Sequence, residues 1–321
     1  MIDRRKVLSA AAALAGAAAP AWAAGPRAKA PAPHDLTGVW TNGWYTWLER
    51  PKEFKALVVT PTEAEAFEAP RRALNGDLLD PHDTLGQATS EFPDQGPGLA
   101  RIRGEIRSSW ITDPANGKVP WTEDARARVR PHSEPLEVYD NVEERPSDER
   151  CLTASGAGAP ILNSHDTNVI QIVQTPDSLV IVAEKNHDAR IVRLDGAAPR
   201  PGETASGFGG WMGVSVGRWD GATLVVETTG LRPGITKLND SLSLSDRSRV
   251  VERFTRTGPK EISYVFEVDD PTLFTHPWRG EMVFRPAEGL IYEVACHEGN
   301  YSLPSILSAA RQGNQAPARG R

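Results

Sequence analysis

The sequence predicts an all-β fold, an antiparallel meander that closes into a barrel, and three observations lead there. The stretch Trp211–Gly230 contains two runs of alternating character that meet at Asp220-Gly221, the strongest short-range hairpin signal. The second half of the chain then repeats the same grammar. Short β-rich segments cover 169–174, 179–184, 189–194, 247–256, 262–268, 282–285 and 290–296, and turn chemistry lies between them at Pro176-Asp177, Asn186-His187-Asp188, Gly258-Pro259 and Asp269-Asp270-Pro271. A meander of that length best avoids exposed edges by closing on itself.

If Asp220-Gly221 are the two central residues of the turn, Trp219 faces Ala222, Gly217 faces Leu224 and Ser215 faces Val226. That face sets small residues against large ones and is the interior. Ser215 also completes a G-x-S-x-G string, but a nucleophile elbow needs a strand-to-helix turn, and here the serine is in mid-strand.

At the start of the chain, Arg4, Arg5 and Lys6 precede an Ala-rich apolar run over 7–19 and an Ala21-Trp22-Ala23 cleavage pattern. Residues 1–23 read as a signal peptide of twin-arginine type, which makes the protein periplasmic or secreted, without a membrane anchor once the signal is removed. Losing three basic residues and Asp3 moves the formal charge from -6 to about -8, which argues against nucleic acid as a partner. Cys151 and Cys296 are the only cysteines, and in an oxidising compartment the pair is expected to form a disulfide.

Residues 24–34 read as a flexible leader, and 35–306 as a single barrel domain. Gly38-Val39-Trp40 resembles the opening strand of lipocalin-like barrels, where the Trp closes one end. Trp40, Trp211 and Trp219 are expected to close the interior. Thr60-Pro61-Thr62-Glu63 is a capping box with Pro at the first helical position, so a helix starts there and runs to Pro70 or soon after. Asn75 to Gly98 reads as a long loop, Ile102 to Ile111 as strand-bearing, Asn116-Gly117 as a turn, and Thr122 as the start of a second short helix. Residues 60–150 are expected to wrap the barrel, and 307–321 to form a disordered tail.

Several runs carry a family resemblance: Gln171–Pro176, Asn186–Ile191, Gly217–Gly221, Val250–Phe254 and above all Tyr292-Glu293-Val294-Ala295-Cys296-His297-Glu298-Gly299-Asn300-Tyr301. Together they resemble a large, chiefly uncharacterised family of exported bacterial proteins. The resemblance spans about Leu36 to Arg311 and implies an exported protein with a β-rich core; it carries no reaction and no cofactor.

Two groups of residues suit acid/base chemistry. Glu184, His187, Asp188 and Arg190 gather at a hairpin bend, where a loop can present an acid, a base and an anion clamp. The same residues also suit a turn with local hydrogen bonds and a surface ion pair. Glu293, His297 and Glu298 lie at the end of the last segment, where a carboxylate beside a His fixes its tautomer. His165, Asp166, Glu184, His187, His276 and His297 supply enough atoms for a metal, but none has a ligand spacing, so no metal and no cofactor is expected. Trp44, Tyr45, Trp211 and Tyr292 are candidate lining for a small apolar or aromatic molecule. The two functional classes left open are a cofactor-independent lyase, isomerase or hydrolase, and a non-catalytic carrier or scavenger.

Overall fold

The computed structural model describes residues 34–78, 96–128, 141–142, 145, 150–152, 158–163, 168–194, 211–233, 243–292 and 301–315. A closed barrel of nine strands forms its centre. These are β1 (Gly38–Thr41), β6 (Val169–Gln174), β7 (Ser178–Ala183), β8 (Ala189–Arg193), β9 (Val214–Asp220), β10 (Thr223–Thr229), β11 (Arg249–Gly258), β12 (Glu261–Asp269) and β13 (Trp278–Pro286), in that order round the barrel, with β1 pairing β13 to close it. Strands β2 (Val58–Val59), β3 (Arg101–Ile102) and β4 (Glu105–Arg107) form a separate small sheet, and β5 (Ile111–Asp113) adds to the outside of the β13 ladder. Among the described residues three helices accompany them: α1 (Pro61–Leu78), α2 (Glu123–Arg128) and α3 (Ser302–Gln315).

Alternation decides what the barrel encloses. On β12 the side chains of Ile262, Tyr264, Phe266 and Val268 are buried while those between them are half-exposed. Cross-strand register carries the same face round the barrel, through Phe254 and Leu224 on one side and Met282 and Phe284 on the other. These residues belong to one apolar cluster that also takes in Ile172, Leu179, Ile181 and Val192 from the opposite wall.

The end of the barrel at the Gly221-Ala222 turn is occupied by Leu36, Trp40 and Trp219. Trp40 Nε1 donates to Leu36 O at 3.0 Å, Arg256 lies over its ring at 4.9 Å, and His34 stacks on Trp219 at 4.8 Å. Trp40 and Trp219 thus close the interior as expected. Trp211 does not, being 42% exposed with Arg232 over its ring.

The hairpin forms with a register two residues from the expected one. Asp220 pairs Thr223, Trp219 pairs Leu224 and Ser215 pairs Thr228. Gly221 has φ +56 and sits at the first central position, where a type II′ turn needs glycine, so the loop is Gly221-Ala222. A shift of two preserves the faces, and Ser215, Leu224, Val226 and Thr228 do point inward and are buried. The meander is also not antiparallel throughout. β8 and β9 run parallel, because the connection over 194–213 is long enough to return the chain to the end it left.

The capping box forms as read. Thr60 N donates to Glu63 Oε2 at 2.8 Å and Glu63 N donates to Thr60 Oγ1 at 3.2 Å. Pro70 does not end α1. It removes one backbone donor, and contacts that span it hold the next turn: Arg71 Nη1 to Phe67 O, and Arg72 to Glu65 and Glu68. The segment over 60–150, expected merely to wrap the barrel, shares a second core with the residues just before it, in which Tyr45, Phe54, Val59, Ala64, Phe67, Leu99 and Ile106 pack beside α1 and the small sheet. Arg103 and Arg107 then pair with Glu281 on the outer wall of β13.

Two further expectations are corrected. Of the tail expected to be disordered over 307–321, residues 307–315 belong to α3, because Leu303, Ile306, Leu307 and Ala310 recur at helical spacing and form the half-buried stripe, and residues 316–321 lie outside the described residues. Residues 290–292 lie outside any strand, while 293–300 fall outside the described residues.

Candidate functional site

β7 and β8 are joined by a bend, closed by Ala183 N donating to Asp188 O at 2.8 Å. Asn186 and His187 sit in it with φ of 59° and 54°, left-handed values that few residues other than glycine adopt. Hydrogen bonds to distant segments hold the bend in place. Asn186 Nδ2 donates to Leu152 O at 2.7 Å, and Glu184 Oε1 accepts from Tyr292 N at 2.9 Å. Residues from before the first barrel hairpin and from the start of the C-terminal motif therefore meet two positions apart on one loop. His187 and Tyr292 are exposed there, and Glu184 is half-buried.

Arg190 leaves this group. As the second residue of β8 it has the parity of Val192, which faces inward, and its side chain crosses the barrel interior to Glu252 on β11. The contact is bidentate, with Nη1 to Oε2 at 2.6 Å and Nη2 to Oε1 at 2.9 Å. Tyr264 on β12 adds its hydroxyl, donating to Glu252 Oε1 at 2.7 Å and accepting from Ile161 N at 2.8 Å. Side-chain exposure is 2% for Arg190 and 0% for Glu252, so the pair survives only because each charge is met by the other. Burial works against the Arg190 charge, but the Glu252 carboxylate prevails and holds its pKa above the usual guanidinium value. Burial, reinforced by Glu252, pushes the Tyr264 hydroxyl well above the ordinary phenol value. This crossbar, with the Ser215–Thr228 hydroxyl pair at 2.8 Å, forms a polar belt on an otherwise apolar wall.

The sequence marked Arg190 but not its partners. Glu252 was legible from alternation, since Val250, Glu252 and Phe254 share a buried face and a charge among them requires a counter-charge.

Of the other candidates, Tyr45 belongs to the small core beside α1 and does not line the barrel. Trp44 is half-buried, donates Nε1 to Val283 O at 3.1 Å and lies under Arg285, so its ring is engaged in packing. Trp211 and Tyr292 keep exposed rings. His276 is at the surface beside Thr275. Cys151 is buried with φ 54°. Glu293, Cys296, His297, Glu298, His165 and Asp166 lie outside the described residues. Among the described residues no group of three His, Cys, Asp or Glu side chains is placed to hold a metal.

The fold and the bend define a closed nine-strand β-barrel with an internal Arg–Glu–Tyr crossbar and a tethered, strained loop above it. Compared with family models, with curated proteins and with solved structures, the chain matches none.

Proposed function

We propose that the protein is an exported, lipocalin-like barrel that handles a small apolar or aromatic molecule at the 184–188 bend. It acts there as a cofactor-independent lyase, isomerase or hydrolase, with His187 as proton acceptor and Glu184 as its carboxylate partner. The observation that carries this is the Glu184–Tyr292 hydrogen bond, which brings the start of the C-terminal motif, with Glu293, His297 and Glu298 just beyond it in sequence, to the bend. The strained backbone at Asn186 and His187 is a second support, since strain of this kind concentrates at functional loops. Aromatic side chains fill the interior of the closed barrel, which favours reading this site at the mouth, beside Tyr292.

Carrier activity at the same mouth is the second reading, favoured by the inward turn of Arg190, which removes the anion clamp from the bend. Titrating the mature protein with a panel of small aromatic esters, lactones and enones separates the two. The His187 Cε1–H resonance should move with at least one compound. Conversion of that compound, abolished in a folded His187→Gln variant, is the enzyme's result, and binding without conversion is the carrier's. A His187 signal that no compound moves contradicts the site.

The bend also supports the Cys151–Cys296 bridge. Leu152 O and Tyr292 N are bonded by residues two apart, four residues of chain reach at most about 14 Å, and no described cysteine is free. A loop of this length is worth up to about 5 kcal/mol in the chain-entropy model. Thiol titration of the unfolded, unreduced mature protein should find no free thiol, and two would dispose of the bridge.

A further inference from the structure

The barrel ladder is uneven. β1 and β13 align only at Trp40–Pro286 and Thr41–Arg285, and β8 and β9 only at Val192–Ser215 and Arg193–Val216, whereas every other junction aligns between four and nine pairs. These two seams divide the barrel into a four-strand half, β1-β6-β7-β8, and a five-strand half, β9 to β13.

The β1–β13 seam is reinforced alongside its ladder. Trp44 Nε1 donates to Val283 O, Ala287 N to Val39 O at 3.1 Å, and Arg256 Nη1 to Asp35 O at 3.0 Å. The β8–β9 seam is the barrel's one parallel junction, with slanted and weaker bonds, and no tight turn joins its strands. Side chains pack over it at Gly217, where Val192 and Leu194 come close. What ties β8 to the far half through the interior is the Arg190–Glu252 pair, extended to β12 by Tyr264. Two buried donors of the interior face, Arg190 Nε and Trp278 Nε1, have no hydrogen-bond partner among the described residues, and such donors favour an incoming acceptor oxygen.

We propose that the β8–β9 seam is a gate into the barrel interior and that the Arg190–Glu252 pair is its latch. Parting of β8 from β9 exposes the polar belt of Arg190, Glu252, Tyr264, Ser215 and Thr228 to a small molecule bearing a hydroxyl or carbonyl oxygen. The remaining junctions keep the two halves folded while it does so. This inference stands apart from the chemistry at the 184–188 bend and is tested without a ligand.

Amide hydrogen exchange of the mature protein, read residue by residue at low denaturant, tests it. The amides that cross the β8–β9 seam should exchange through a local opening well before those of β10, β11 and β12. Glu252→Gln keeps the shape but removes the charge, and should speed exchange at the seam by about tenfold or more, since bonds to charged groups are the strong ones. Exchange in β10 to β12 should change much less. Should that variant not fold, Arg190→Lys, which retains the charge with a single contact, should show the same pattern more weakly. Seam amides that exchange in step with β11 in the wild type, or variants that raise exchange evenly over all strands, would overturn the gate.

Discussion

Replacing Glu252 with leucine is expected to cost about 3–5 kcal/mol of folding stability, because it leaves the Arg190 guanidinium buried and uncompensated. Arg190→Met should cost a comparable amount, by stranding the Glu252 carboxylate with only the Tyr264 hydroxyl. The informative variant is the double one. With both charges gone, the interior accepts apolar side chains of similar volume, and the stability of Arg190→Met/Glu252→Leu should recover most of the loss. Denaturant unfolding of the four proteins measures this directly. Additive losses would mean that the two residues act independently, against the bidentate geometry.

The second large effect is expected at Gly280. On β13 it faces Phe266 of β12, and a Cβ added there would lie 2.3 Å from Phe266 Cζ. The ring cannot retreat, because Tyr264 at 5.5 Å and Trp278 at 5.7 Å hold it on both sides. Gly280→Ala should therefore destabilise by about 1–3 kcal/mol through overpacking, and Phe266→Ala by about 3–5 kcal/mol through the cavity it leaves. In a Phe266→Leu background the clash is relieved, so Gly280→Ala should become nearly neutral there. An equal cost in both backgrounds would place its origin outside this contact.

The strands were legible because alternation is local. Val169–Gln174 forms the strand whose limits the pattern gave, and the barrel interior follows from the parity of each run. Pairing partners are not local, so nothing in the character of Ala189–Arg193 or Val214–Asp220 announces that these strands run parallel. Register at the central hairpin depended on which residue takes the first left-handed position, and Gly221 rather than Asp220 takes it. The helix at 302–315 was masked by low-complexity composition, although its apolar spacing is plain.

At the site, closeness in sequence misled. Sequence proximity groups Arg190 with Glu184 and His187, yet strand parity turns it into the barrel, where its partner Glu252 lies 62 residues further along the chain. Glu184 lies at the bend, and its hydrogen bond from Tyr292 links the end of β7 to the segment that follows β13.

The crossbar is the feature on which both the gate and the largest stability effect depend, and nuclear magnetic resonance of the arginine side chains tests it most directly. A guanidinium held on both nitrogens inside a dry barrel should give slowly exchanging Nη–H signals at neutral pH, assigned by their loss in Arg190→Met. Nuclear Overhauser effects from those protons to the Tyr264 ring are the expected result. Rapid exchange of the Arg190 protons with water, with no contact to Tyr264, would place the side chain in solvent and contradict the account.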